Sequence, residues 1–262
     1  MFQPVLISSG LTGWQFLKQT YDDQLSTFSQ SAQLQRDTDH FAQKIASVTT
    51  AEELVADRQM LSVALGAFGL SDDINNTYFI QKMLSDGTTA DDALANRFTD
   101  SRYADFSAAF GLGPNEIPGG LREGFADEII EKYLANSFEV ETGAQDETMR
   151  IALYAERVLP ELAREGSTEA AKWFSIMGQP PLREMFETAL GLPEAFGQVD
   201  IDQQLSVFQE RSERVLGISD PSELADPDTL DRVITSYLAR SQLDEFGSAS
   251  SRAAIALTLL SS

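Results

Sequence analysis

Apolar residues recur at intervals of three and four positions along most of the chain, and residues that cap helices separate these runs. This spacing places apolar side chains on one face of an α-helix, whereas a half-buried strand would show strict alternation. No segment shows that alternation convincingly. The pattern predicts an all-α, multihelical fold of about ten to twelve helices, whose two halves are candidates for a pseudo-repeat.

The first long helical pattern covers residues 12–48 and predicts one long helix or a pair of helices. After it, Thr50 and Glu53 match a capping box, in which each side chain accepts a hydrogen bond from the other residue's backbone amide. A single helix is expected to start there and to end at Gly69. Glycine readily adopts the left-handed conformation that closes a helix, so Leu70 is expected to pack back on the last turn.

The same ending recurs: an apolar helical run, then a glycine, then another apolar residue. We interpret each occurrence as a glycine cap that needs no function. An old internal duplication would also produce the pattern, but the spacing is too irregular for a solenoid. The four segments are Ala64–Leu70, Ala108–Leu112, Ala189–Leu192 and Val215–Ile218.

Further short helices are expected before the second of these endings. Residues 71–72 can cap a helix that passes through Tyr78, and residues 89–92 can cap one that ends at Phe98. Tyr103 begins the apolar face of the next helix. Most of the sixteen phenylalanines fall at core spacing, so we interpret the aromatic residues as core rather than as a ligand pocket.

Residues 111–120 contain four glycines and two prolines, through which neither neighbouring helix can continue. This segment is the best linker candidate. It divides the chain into a helical subdomain at 1–113, which contains the long first helix, and a second helical subdomain at 114–262. One compact unit is the alternative.

Beyond residue 120, the apolar positions predict a helix through Tyr133 and another from Asp146 towards Leu159. The second is apolar over much of its circumference, so we expect it to be the most buried helix. Pro160 lacks a backbone donor and clashes with the preceding turn, so the helix should kink or restart there. Further helices are predicted at 168–177, 181–190, 200–216 and 227–238, and an apolar terminal segment that docks on the body at 250–260.

The formal net charge is −22 and is spread over the chain. Such a negative field repels phosphate groups, so we expect no nucleic-acid binding. No apolar run is long enough to cross a membrane, and we expect a soluble protein. We interpret the charge as a solvated surface rather than as an acidic docking surface.

Reactive residues are scarce. The absence of cysteine excludes disulfides, thiolate metal sites and cysteine nucleophiles. His40 is the single histidine, which leaves a catalytic triad or a multi-histidine metal site incomplete, and we interpret it as a surface residue. Neither a nucleophile elbow nor a phosphate-binding loop is found. We expect no enzyme activity, no metal and no cofactor.

Three pairs of neighbouring carboxylates are candidate acid–base groups. They lie in predicted first helical turns, where the exposed amides and the helix dipole stabilise negative charge, so capping explains them. The pairs are Glu52–Glu53, Asp72–Asp73 and Asp91–Asp92.

The N-terminal segment carries apolar residues with no predicted partner face. It lacks the basic region and the long apolar core of a cleaved secretory signal. It is a candidate partner-binding segment, for which a flexible tail and docking onto the same chain are open alternatives. The candidate partner-binding residues are Phe2, Leu6, Leu11 and Trp14.

Five segments, in the same order along the chain, resemble one family: Ala64–Leu70, Asn96–Tyr103, Asp146–Arg157, Thr188–Pro193 and Asp200–Leu205. Over about residues 12–243, the chain is similar to an uncharacterised alphaproteobacterial family of multihelical proteins, some of which are encoded beside flagellar genes. The resemblance implies a multihelical fold and a flagellar setting, and it supplies no site residues.

These observations favour a non-enzymatic helical interaction or structural protein with a protein partner. The resemblance connects it with the flagellum, as an accessory or export-linked component. We expect it in the cytoplasm, or exported without a cleaved signal peptide through a flagellar-type route. The alternative is an intracellular α-helical module that binds an apolar or cationic small ligand between its halves.

Overall fold

The computed structural model describes residues 3–260, including the side chains of all of them except 194 and 246–260. Twelve α-helices, with short 3₁₀ helices and one π-helix, make up the regular structure of this part of the chain, which contains no strand. The predicted all-α class and number of helices are confirmed. The α-helices are α1 (Gly10–Ser29), α2 (Ala32–Lys44), α3 (Ala51–Ala56), α4 (Arg58–Ala67), α5 (Thr77–Asp86), α6 (Arg102–Phe110), α7 (Phe125–Gly143), α8 (Glu147–Arg164), α9 (Glu169–Gly178), α10 (Pro180–Leu190), α11 (Ile201–Arg211) and α12 (Pro227–Leu260).

The chain forms two compact units. The first consists of Gln19–Ala144 with the N-terminal residues up to Val5, and the second of Leu6–Lys18 with the chain from Gln145 onward. Helix α1 therefore contributes residues to both units. The predicted linker at 111–120 lies inside the first unit. Among the described residues, no helix is both long and apolar enough to cross a membrane.

The core of the first unit forms where α4 packs against α2 and α7. Its buried side chains include Leu61 and Leu65 of α4, Phe41 of α2 and Ile129 of α7. Burying a side chain of this kind contributes about 1.5–3 kcal/mol. These four residues follow the three- and four-residue spacing from which the helices were predicted.

The capping box is present at the start of α3. The Thr50 hydroxyl accepts a hydrogen bond from the Glu53 amide at 3.2 Å, and the Glu53 carboxylate accepts one from the Thr50 amide at 3.0 Å. The helix is shorter than predicted, because a new helix, α4, begins after Asp57. The Asp57 side chain accepts hydrogen bonds from the amides of Gln59 and Met60, which favours a new helix start over continuation of α3.

The helix predicted from residue 71 is divided in the same way, into the 3₁₀ helix Ser71–Asn75 and α5. Asn76 lies between them with φ −90° and ψ 44°, and its side-chain amide donates a 2.7 Å hydrogen bond to Asp73. Such local side-chain bonds compete with the helical backbone. The helix predicted to end at Phe98 is the 3₁₀ helix Leu94–Arg97.

All four glycine endings are confirmed. After the first, the Leu70 amide donates a 2.9 Å hydrogen bond to the Leu65 carbonyl oxygen, and the Leu70 side chain is buried. This is the bond expected when a left-handed glycine closes a helix. The four glycines have φ values between 57° and 69° and are Gly69, Gly111, Gly191 and Gly217.

In the second unit, α8 packs against α10 and α12. Its side chains Ile151 and Leu159 are completely buried, as expected for the central helix. The predicted restart at Pro160 is wrong, because α8 continues to Arg164. The proline leaves the Glu156 carbonyl without its helical donor, but Glu156 lies on the partly exposed side of α8, where water can replace that donor.

Helix α12 begins at Pro227, directly after Asp226, as predicted. The Asp226 carboxylate accepts a 3.0 Å hydrogen bond from the Thr229 amide. The terminal segment predicted at 250–260 belongs to α12, whose backbone continues to Leu260. Its predicted docking onto the body concerns side chains outside the described residues.

Candidate interaction surface

An aromatic cluster lies at the surface of the first unit, where α5, the 3₁₀ helix Leu94–Arg97 and α6 pack against one another. Three rings contact one another here: Phe79 of α5, Phe98, which follows the 3₁₀ helix, and Tyr103 of α6. Tyr78 precedes Phe79 in α5. We call these four residues the aromatic patch.

The three contacting rings support one another. The Phe79 ring meets those of Phe98 and Tyr103 edge to face, with centroids 5.4 and 5.6 Å apart, and the centroids of Phe98 and Tyr103 are 5.2 Å apart. Edge-to-face pairs of this kind contribute about 0.5–1.5 kcal/mol beyond area burial. The contacts hold Phe98 in place although it lies outside any α-helix.

Two members of the patch are exposed to solvent. Helix α5 turns Ile80 and Met83 into the core, so Tyr78 on the opposite side is 81% exposed. Phe98 is 40% exposed despite its ring contacts. Aromatic side chains are enriched in protein interfaces, where they often dominate the binding energy. The aromatic patch is therefore the best candidate interaction surface in the described residues.

The segment that carries the patch is strongly acidic. Residues 71–105 contain seven aspartates against three basic residues. Two of the three cations already form ion pairs. Lys82 Nζ lies 2.5 Å from Asp86 Oδ1, and Arg102 Nη2 lies 2.7 Å from Asp100 Oδ2. The segment that carries the aromatic patch therefore has more negative charge than its own cations neutralise.

Tyr103 is linked to one of these aspartates. Its hydroxyl donates a 2.6 Å hydrogen bond to Asp73, which also accepts a bond from Asn76 at 2.7 Å. Burial, together with the bond to Asp73, raises the pKa of Tyr103 to about 12. The hydroxyl therefore stays protonated at neutral pH and is engaged within the unit.

The paired carboxylates divide into two groups. Hydrogen bonds from the amides of Thr49 and Thr50 lower the pKa of Glu53, which confirms its predicted capping role. Asp91 and Asp92 are exposed and precede a 3₁₀ helix whose start has no side-chain cap. The capping interpretation is therefore wrong for this pair.

His40 is a half-buried member of a hydrogen-bonded cluster with Asp57, although it was predicted to be a surface residue. Its Nε2 lies 2.7 Å from the Asp57 carboxylate, which also accepts a 2.9 Å bond from Lys44. Burial alone would raise the pKa of Asp57, but hydrogen bonds from Lys44, Met60 and His40 lower it to about 2. The cluster ties α2 to the start of α4. No group of three or more potential metal-ligating side chains occurs within the described part of the chain.

The predicted N-terminal binding residues lie in different environments. Phe2 is outside the described residues, and Leu6 and Leu11 are half-buried. Trp14 is only 2% exposed and belongs to the core of the second unit, so its side chain is not available to a partner in this conformation. Ile7, which was not among the predicted binding residues, is 58% exposed.

The sequence contained one signal for the patch that the prediction did not use. Tyr78 does not fit the helical spacing that joins Ile80, Met83 and Leu84, so it faces away from them in any helix over this segment. No comparable signal exists for Phe98, because its exposure depends on contacts with residues elsewhere in the chain.

A family model described as a protein of unknown function, DUF1217, matches residues 67–230. A solved crystal structure of a protein from Agrobacterium tumefaciens resembles this chain with a TM-score of 0.69 at 24% sequence identity, over 89% of this chain and 97% of that one. At this identity the likeness establishes a shared fold. No curated protein matches the chain.

Proposed function

Since the chain belongs to the DUF1217 family of proteins of unknown function, we propose that it is a non-enzymatic interaction protein that holds a partner protein against the aromatic patch. The observation that carries this proposal is the exposure of Tyr78 and Phe98 on a surface that the unit itself leaves uncovered. Covering a large aromatic side chain contributes about 1.5–3 kcal/mol, which gives a partner a clear energetic reason to dock there.

The flagellar setting is a finer part of the same proposal. It is supported by the resemblance to alphaproteobacterial proteins that are encoded beside flagellar genes, and it makes this chain an accessory or export-linked component. Deleting the gene in the native host is expected to impair motility or flagellar assembly. A deletion strain with normal flagella and normal swimming would count against the flagellar setting while leaving the binding proposal intact.

The binding proposal is tested by affinity capture from the native host with three baits. These are the wild-type chain, the double variant Tyr78→Ser/Phe98→Ser, and the matched control Val140→Ser, which removes another exposed apolar residue of the first unit. We expect a specific partner with the wild type and the control, and its loss with the double variant. Retention of the same partner by all three baits would contradict the proposal.

A fourth bait addresses the segment predicted from the sequence. Ile7→Ser removes an exposed apolar side chain of the N-terminal segment and leaves the aromatic patch unchanged. Loss of the partner with this bait alone would transfer the binding site to the N-terminal segment.

A further inference from the structure

We infer that the partner docks on the aromatic patch through a basic amphipathic helix. This inference rests on the proposed function and names the chemistry of the partner. It follows from two properties of the segment that carries the patch: uncovered aromatic rings, and an excess of carboxylates over cations.

The backbone at the patch favours contact through side chains. Tyr78 and Phe79 lie in the first turn of α5, so their carbonyl groups bond within the helix, whereas their amides have no helical acceptor. The described residues contain no strand whose edge could accept an added strand. A partner must therefore present side chains to the rings, and an amphipathic helix does so with its apolar face.

The exposed carboxylates of the segment that carries the rings select for positive charge. Asp72, Asp91 and Asp92 are exposed, and none forms an ion pair with another described residue. The segment has three cations for its seven aspartates: Lys82 is bound by Asp86 and Arg102 by Asp100, so Arg97 is the one cation left to balance the others. A partner rich in lysine or arginine would supply the missing counter-charges, whereas an acidic partner would be repelled.

The rings add a second reason for a basic partner. A lysine or arginine placed over the face of Tyr78 or Phe98 gains a cation–π interaction in addition to its attraction to the aspartates. The Tyr103 hydroxyl is bound to Asp73, but that of Tyr78 makes no hydrogen bond to another described residue. It is free to donate to a partner.

Long-range attraction alone would not identify the site, because a chain with a net charge of −22 attracts any polycation. The test therefore compares two labelled peptides of about 18 residues, or about five helical turns. One places leucine and lysine on opposite faces of a helix, and the other has the same composition in scrambled order. Fluorescence anisotropy measures their binding to the full-length chain at about 0.15 M salt, where charge attraction is screened beyond about 8 Å.

We expect the amphipathic peptide to bind at least about tenfold more tightly than the scrambled one. Tyr78→Ser/Phe98→Ser should remove that advantage, and Val140→Ser should preserve it. Asp91→Asn/Asp92→Asn should weaken binding and flatten its salt dependence, since counter-charges are lost while the rings remain. If the double aromatic variant fails to fold by circular dichroism, Tyr78→Ser alone carries the test, because this side chain is 81% exposed.

Equal binding of the two peptides, or unchanged binding to the aromatic variant, would overturn the inference. Its failure is distinguishable from failure of the proposed function. If capture of the partner requires Tyr78 and Phe98 but the two peptides bind equally, the interaction function is retained. A basic helix is then excluded as the partner's binding element. If the chain binds the amphipathic peptide selectively, but the captured partner is retained by Tyr78→Ser/Phe98→Ser, the proposed function is contradicted instead.

Discussion

The Tyr103 hydroxyl donates a 2.6 Å hydrogen bond to the Asp73 carboxylate and so joins α6 to the 3₁₀ helix Ser71–Asn75. The two residues are thirty positions apart in the chain. The bond anchors one edge of the aromatic patch and holds a carboxylate beside it. It also supports Phe79 and Phe98, whose rings pack against that of Tyr103.

This hydrogen bond predicts a stability change at alkaline pH. Burial and the bond to Asp73 raise the pKa of Tyr103 from 10.0 to about 12. The unfolded chain releases this proton at the lower pH, so the stabilisation is fully present below pH 10 and is lost as the pH rises towards about 12. We expect the wild type to have a higher free energy of unfolding in urea than Tyr103→Phe below pH 10. This difference should shrink between pH 10 and about pH 12.

Ultraviolet titration of the same two proteins provides the control. Subtracting the Tyr103→Phe curve from that of the wild type isolates one tyrosine, which is necessary because burial also raises the pKa of Tyr133 and Tyr237. A difference curve centred near the ordinary pKa of 10.0 would contradict the prediction.

For Asp57 we predict the opposite dependence of stability on pH, in the acid range. Its pKa falls from 3.8 to about 2 in the folded chain, because bonds from Lys44, Met60 and His40 outweigh the effect of burial. The stabilisation is therefore present above the unfolded pKa and disappears as the pH falls towards about 2. Asp57→Asn keeps a good helix cap but removes the charge, so it should destabilise the protein at pH 7 and much less at about pH 2.

The companion variant Asp57→Ala separates the cap from the charge. It should unfold more easily than Asp57→Asn by about 1 kcal/mol at both pH values, since alanine cannot accept the amide hydrogen bonds that start α4. Chemical denaturation followed by circular dichroism measures both differences. If the two variants are equally stable, the side chain of Asp57 does not act as a cap.

At Gly217, which ends a helix, the effect of backbone conformation on stability can be measured without a steric clash. This glycine follows the π-helix Ser212–Leu216 with φ +69°, and an added Cβ would meet no atom within 4 Å. Gly217→Ala should therefore cost about 1–2 kcal/mol through backbone strain alone. Gly166→Ala is the matched control, because that site is equally open and has no positive φ. It should leave stability unchanged or raise it by up to about 1 kcal/mol.

Lys172 is a buried cation whose role can be tested by removing its charge. Its ammonium group donates a 2.6 Å hydrogen bond to the Ala163 carbonyl oxygen in the last turn of α8, and its side chain is buried. Lys172→Met keeps the apolar stem but leaves that carbonyl without its donor, so we expect a loss of about 1.5–3 kcal/mol in the free energy of unfolding.

The control for Lys172 is Arg164→Met, which removes an exposed cation from the same helix end. Because solvent screens its attraction to the helix dipole, this change should cost less than about 0.5 kcal/mol. Equal effects of the two variants would show that proximity to the helix end, rather than the buried hydrogen bond, explains the result.

The course of the individual helices was predicted most successfully where the signal is local. The capping box at Thr50 and the glycine endings join residues a few positions apart, so the sequence contains both partners. Prediction failed where two local signals compete. Asp57 divides one expected helix into two, and α8 continues through Pro160 because packing on its buried face outweighs the lost hydrogen bond.

By itself, the sequence determined the all-α class, the approximate number of helices and most of their ends, because these depend on periodicity and capping within a single turn. Only the tertiary structure decided that the units change at Gln145, that Lys172 reaches the carbonyl of Ala163, and that Tyr78 and Phe98 stay exposed. Periodicity shows which side chains can be buried together. Which of them remain uncovered depends on how segments far apart in the chain pack, and that information lies in no single segment.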